Sequence, residues 1–251
     1  MTAVIAGARI DGAQLLVDKL SSRHPLDEED RDALRNLPCT VQVANPNQYL
    51  IHEGQLAGRC SFLLSGFAIR YKIVAGDRRQ IVAILIRGDF VDLQNSMLGF
   101  ADHSVQMLTR GKIASVSSRN LWALVRARTN IAEALWFDTS LDTAVLHEWL
   151  ASLGRRDARS RIAHLLCEFA VRMKVAGLAT GVECGLPMSQ EQLADTIGLA
   201  PAYVNRTLKQ LEDDGLIYRV TPRSITIADW DELSEVGDFT SDYLHLAAED
   251  A

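Results

Sequence analysis

No apolar run in this 251-residue chain approaches the roughly 18 residues of a membrane span. The start, Met1 to Ile10, has neither a basic n-region nor a long apolar stretch, so no secretory signal is expected and the chain is read as cytoplasmic. Cysteine is scarce. Cys39, Cys60, Cys167 and Cys184 are widely scattered, with no C-x-x-C pair and no Cys/His spacing suited to zinc. Reduced, buried thiols are the expectation, no metal is assigned, and nothing singles out one of the four as redox-active. A Walker A loop, G-x-G-x-x-G, H-E-x-x-H and G-x-S-x-G are all missing, so no enzyme and no cofactor are expected. An overall basic charge is missing too. The net charge of −6 argues against an indiscriminate nucleic-acid coat, yet residues 155–223 carry ten Lys and Arg against eight Asp and Glu.

What is present is most informative between Ser189 and Ile217. Ser189 is a good N-cap, with Gln192 three residues on, where a capping-box partner belongs. Leu193 and Ile197 share one face of a first helix, and Ala194 beside them admits a close helix crossing. Gly198 has the backbone freedom to end that helix and turn. Pro201 suits the first turn of a second helix, whose buried stripe is Val204, Leu208 and Leu211. Its opposite face carries Ala202, Asn205, Arg206 and Lys209, with Tyr203 at the edge.

This is the pattern of a helix-turn-helix, and it points to double-stranded DNA. An α-helix fits the major groove, where Arg pairs bidentately with guanine and Asn with adenine. Asn205 and Arg206 are the leading base readers, with Tyr203 beside them. Gly215–Arg219 and Pro222–Ile227 read as two short strands with a turn between, the wing of a winged helix. Arg219, Arg223 and Ser224 there can reach phosphates, as can Lys209, while Ser189, Ala200 and Pro201 lie at the two helix starts.

The N-terminal half has a different texture. A short helix is expected around Ala13–Leu20 and another over Leu26–Leu37. After Pro38, Gly54, Gly66, Gly76, Gly88 and Gly99 fall 12, 10, 12 and 11 residues apart, with β-branched runs between them. Turns at that spacing suggest a sandwich or jelly-roll. A long helix follows from about Thr129. Leu141, Val145, Trp149 and Leu153 step by four and are assigned to a dimer seam with a second chain. Asp138 and Asp142 interrupt a strict heptad, so a helix pair rather than an ideal coiled coil is expected. Gly154 and Arg155–Asp157 mark a hinge.

Phe62-Leu-Leu-Ser-Gly66, Ile86-Arg-Gly-Asp-Phe-Val91, Arg159-Ser-Arg-Ile-Ala163 and the helix-turn-helix together resemble the Crp/Fnr superfamily of bacterial transcription regulators over residues 25–230. Tyr203-Val-Asn-Arg206 is similar to the His-Val-Asn-Arg pattern of FixK-like alphaproteobacterial members. The resemblance implies an α+β chain with an N-terminal double-stranded β-helix (a jelly-roll of the cyclic-nucleotide-binding type), a long dimerisation helix and a C-terminal winged helix-turn-helix. The expected divisions are 1–24 as an N-terminal extension, 25–128 as the β-roll, 129–154 as the dimer helix, 155–235 as the DNA-binding domain and 236–251 as a tail. It further implies a homodimer reading a two-fold symmetric site, half-sites about one helical turn apart, in contact with RNA polymerase.

The sensory residues depart from the family pattern. Cyclic-AMP-binding members hold the ribose with a Gly-Glu pair after the Gly-Asp-Phe turn, where this chain has Asp92-Leu93. They neutralise the phosphate with an Arg-Ser pair, where it has His103-Ser104. Leu146 and His147 stand where a Thr-Ser pair contacts adenine. A buried phosphate without an Arg is poorly compensated, so a degenerate pocket that does not take cyclic AMP is expected. With no cysteine before Cys39 an Fnr-type cluster is not expected, and His52 and His103 show no spacing that pairs them on haem. The DNA-reading face departs as well, since Pro201-Ala202 replaces the early Arg-Glu or Val-Glu pair of well-known members and lacks its acidic group. Two other readings stand beside this one. In one the β-roll senses an unidentified small molecule or redox signal, and in the other the winged helix docks onto a protein.

Overall fold

The structure, a computed structural model, describes residues 8–179, 183–221 and 224–246. The chain divides into two compact units, residues up to 72 with 84–143, and residues 73–83 with 144 onward. No helix among the described residues is long and apolar enough to cross a membrane.

The first unit opens with α1 (Ala8–Ser21) and α2 (Glu28–Arg35). α2 starts in a reciprocal cap. Asp27 accepts the Asp30 N–H at 2.8 Å, and Asp30 accepts the Asp27 N–H at 3.2 Å. The strands β1 (Cys39–Ala44), β2 (Tyr49–Ile51), β3 (Arg59–Ser65), β4 (Ala68–Val74) and β5 (Arg78–Leu85) follow in the chain, residues 73–83 of β4 and β5 being counted with the second unit, then the single turn α3 (Asn95–Leu98), β6 (Ser104–Met107) and β7 (Gly111–Ser117). They form two sheets, in the orders β1-β7-β3 and β2-β6-β4-β5. β7 pairs antiparallel with both neighbours, so Ala114 faces Val41 on one side and Phe62 on the other. Gly111 is required where β7 begins, because a Cβ there would stand 2.0 Å from the Ser65 carbonyl oxygen.

α4 (Ser118–Ala127) and α5 (Thr129–Arg155) close the unit. Leu16, Val17 and Leu20 of α1 join Leu34, Phe62, Phe90, Val116, Leu121, Ile131 and Leu135 in one hydrophobic core. Each such side chain, fully buried, contributes about 1.5–3 kcal/mol. α1 is therefore built into the roll, at spacings of three and four that place its leucines and valine on one face.

The second unit continues α5 and adds α6 (Ala158–Val175), β8 (Glu183–Cys184), α7 (Gln190–Ile197), α8 (Pro201–Asp213), β9 (Ile217–Thr221), β10 (Ser224–Ile227) and α9 (Trp230–Val236). β8, β10 and β9 form an antiparallel sheet in that order. Ile162, Leu166 and Phe169 of α6 are buried, as are Leu193, Val204, Leu208, Leu211, Ile225 and Leu233. Glu168 is buried in this unit and satisfied there. It accepts from Trp149 Nε1 and from the Tyr243 hydroxyl, both at 2.9 Å.

The residues assigned to a dimer seam from spacing differ in burial along α5. Asp138 is buried and paired with Lys19 at 3.1 Å, and Asp142 pairs with Arg70 at 3.3 Å. Trp149 falls on that same helix face and is likewise buried. Leu141, Val145 and Leu153 are half-buried. A four-residue period reports a covered face without saying what covers it, and here much of the cover is the chain itself. The large apolar side chains that α5 leaves exposed are Trp136 (74%), Phe137, Leu146 and Leu150 (69%).

Candidate nucleic-acid interface

The helix-turn-helix is positioned by local rules. Ser189 Oγ accepts the Gln192 N–H at 3.2 Å and Gln192 Oε1 accepts the Ser189 N–H at 2.8 Å, closing a capping box on α7. Gly198 ends α7 in the left-handed region, at φ +69°. Ala200 is the extended N-cap residue of α8 and Pro201 its first residue. Val204, Thr207, Leu208 and Leu211 are buried. Pro201, Ala202, Tyr203, Asn205, Arg206 and Lys209 are all exposed, so α8 presents one continuous polar face.

The side chains on that face are ordered by one another. The Arg206 guanidinium lies 4.5 Å from the Tyr203 ring centroid. Asn205 and Gln190 exchange two hydrogen bonds, Gln190 Nε2 donating to Asn205 Oδ1 at 2.7 Å and Asn205 Nδ2 to Gln190 Oε1 at 2.6 Å. Lys209 pairs with Asp213 at 2.7 Å and stands 3.7 Å from Glu212. Glu212 also holds Arg219 at 2.8 Å, and this bond keeps the Glu212 carboxyl below its ordinary range. Two of the cations assigned to phosphate are thus engaged by carboxylates of their own unit. Ser224 is half-buried at the start of β10, and Arg223 lies outside the described residues.

The residues assigned to a degenerate ligand pocket are only partly brought together. Asp92 is buried in the β-roll and accepts the Ser61 N–H at 2.6 Å. Burial pushes its carboxyl up to about 7, opposed by that bond and by Arg70. Leu93 packs half-buried against the core. His103 is buried, with Nδ1 2.6 Å from Asp102. Burial and the nearby Arg70 cation hold His103 below its ordinary value, so it is neutral near pH 7. Ser104 Oγ accepts the Glu53 N–H at 3.1 Å. Leu146 and His147 are exposed on α5.

Arg70 was not legible as a site residue. It is a buried cation in β4, paired with Asp142 and donating from Nη2 to the Phe90 carbonyl at 3.4 Å. Two of the thiols, Cys60 and Cys167, are poorly placed for redox chemistry. Burial pushes Cys60 well above its ordinary range and Cys167 up to about 12, so neither forms a thiolate near neutrality. Cys39 is half-buried.

Residues 160–236 match the family described as the Crp-like helix-turn-helix domain, and residues 41–128 match the cyclic nucleotide-binding domain. The chain belongs to the Crp/Fnr superfamily. Among its relatives is the nitrogen fixation regulation protein FixK of Rhizobium meliloti, 29% identical over 195 residues that cover 76% of this chain and 83% of that protein. FixK of Azorhizobium caulinodans is 27% identical over 190 residues, 76% of each chain. The solved structure of FixK2 from Bradyrhizobium japonicum shares the fold, with a TM-score of 0.74 at 23% identity over 81% of this chain and 100% of that one.

This Crp/Fnr chain is of the FixK-like type and is a transcription regulator with a DNA-binding helix-turn-helix. The cyclic nucleotide-binding match covers the β-roll, including Arg70, Asp92 and His103. It does not extend to Leu146 and His147 on α5. Within the Crp-like match, Gln190 is the residue that spacing rules overlooked. It occupies the first position of α7 and meets α8 only after the turn at Gly198 folds one helix across the other.

Proposed function

We propose that this Crp/Fnr regulator is a homodimer that reads a two-fold symmetric DNA site through Tyr203, Asn205 and Arg206, without cyclic AMP. The exposed face of α8, opposite its buried stripe, carries this reading. Arg206 supplies a bidentate donor for guanine and Asn205 a donor–acceptor edge for adenine. Ser189, Ala200 and Pro201 stand at the two helix starts, where backbone phosphates approach. Lys209, Arg219 and Ser224 are assigned to phosphate with them, as is Arg223 from the sequence alone.

Independence from cyclic AMP is supported by the chemistry of the roll. The position of the family's phosphate-binding arginine holds a buried, neutral His103, and Asp92 adds an acidic group nearby in sequence to the Gly-Asp-Phe turn. A cyclic phosphate there would lack the family's arginine, and the nearby Arg70 is already paired with Asp142. Dimerisation is supported by Trp136 and Leu150, exposed at 74% and 69% and two heptads apart on α5, with Leu146 between them. RNA polymerase is the partner expected of a regulator of this family, and the cytoplasm its compartment.

A second reading, a roll that responds to another small molecule, is favoured by unsatisfied buried groups. His103 Nε2, both amide atoms of Asn95 and Arg70 Nε have no hydrogen-bond partner among the described residues. Selecting random duplex DNA with purified, nucleotide-free protein tests the first reading. A two-fold palindrome supports it, and enrichment only on adding cyclic AMP overturns its ligand-free part.

A further inference from the structure

Resting on the reading of Asn205 as a base reader, we propose that Gln190 masks its adenine-reading edge and so sets which base Asn205 prefers. Gln190 stands at the first position of α7 and Asn205 within α8. Their two bonds run in opposite directions between the same pair of amides, at 2.7 and 2.6 Å. Two amides can do this only as a closed ring, each using its carbonyl oxygen and the N–H on the same side as that oxygen. Asparagine presents that same edge to adenine, accepting from N6–H and donating to N7. The closed pair and a bidentate adenine contact therefore exclude each other.

While the pair is closed, Asn205 keeps one N–H and one lone pair pointing away from Gln190. A single outward donor meets guanine N7 or O6, adenine N7 or thymine O4 with little discrimination. Asn205 is exposed and Gln190 half-buried, so the pair competes with water and can be opened by a base, but opening it leaves Gln190 to be satisfied again. Gln190 is thus a specificity-determining residue that acts through Asn205. The neighbouring capping box uses Ser189 and Gln192, not Gln190, so replacing Gln190 spares the start of α7.

The test is sequence selection and competition binding with the full-length wild type, Gln190→Ala, Asn205→Ala and the double variant, each first checked for unchanged thermal unfolding. Gln190→Ala should raise the preference for adenine at one position of each half-site by about fivefold or more, the lower end of what a bidentate pair discriminates. The gain should vanish in the double variant. If Asn205→Ala alters preference at that position but Gln190→Ala leaves adenine preference there unchanged or lowered, masking is wrong while the reading of Asn205 stands. If Asn205→Ala changes no position, the reading of Asn205 falls, and the masking proposal with it.

Discussion

Arg206 lies over the ring of Tyr203, three residues earlier on α8, with the guanidinium carbon 4.5 Å from the ring centroid. At an exposed site such an interaction is worth about 0.5–1 kcal/mol. It also restricts a long side chain before any base is met, which reduces the ordering cost of binding. Arg206→Ala should weaken specific binding by about 1–3 kcal/mol and relax one position per half-site. Tyr203→Ala should cost less and leave the position of preference in place. Titration against the four base variants of each half-site checks both. Wild-type affinity and preference in Arg206→Ala would mean that α8 is not the reading helix.

Glu212 sits between two cations, 3.7 Å from Lys209 and 2.8 Å from Arg219. Removing its charge in Glu212→Gln should release Arg219 toward phosphate, while Asp213 keeps its own bond to Lys209 at 2.7 Å. Affinity for duplex DNA should rise, and the slope of log K against log salt should steepen by about one for each additional phosphate neutralised. An unchanged slope would place Arg219 outside the DNA footprint.

The helix-turn-helix could be read from the sequence because its determinants are local. The Ser189–Gln192 box, the left-handed Gly198 and Pro201 each act within one turn of chain. The roll was legible through its regularly spaced turn glycines. What escaped notice depends on distant pairing. Arg70 lies in an apolar strand and finds its carboxylate, Asp142, 72 residues away. Gln190 and Asn205 meet only after two helices cross. The period of α5 is legible, but its burial within the same chain at Asp138 and Trp149, which leaves Trp136 and Leu150 exposed, is not.

Asp92 carries a pH signature. Burial raises its carboxyl from the ordinary value near 3.8 to about 7. Between those values the folded chain holds a proton that the unfolded chain has released, so this group makes stability fall as pH rises through the window. Asp92→Asn removes the titration. The Tm of the variant minus that of the wild type should therefore grow from about pH 4 to about pH 8. A constant difference would show that Asp92 titrates normally.

Two faces of α5 should respond differently to substitution. Trp136→Asp and Leu150→Asp alter exposed positions, so folding should survive while sedimentation shows loss of the dimer. Trp149→Ala instead empties a buried site and removes a donor to Glu168, and should cost about 3–5 kcal/mol of stability. Dissociation without destabilisation in Trp149→Ala would place the seam on the Leu141–Leu153 stripe.

Whether this protein reads a symmetric DNA site without a cyclic nucleotide is decided by selection from random duplex DNA with the nucleotide-free protein at near-physiological salt. The expected result is one enriched two-fold palindrome, with half-sites about one helical turn apart and unchanged by added cyclic AMP. Enrichment that appears only with cyclic AMP, or no enrichment under either condition, would contradict it.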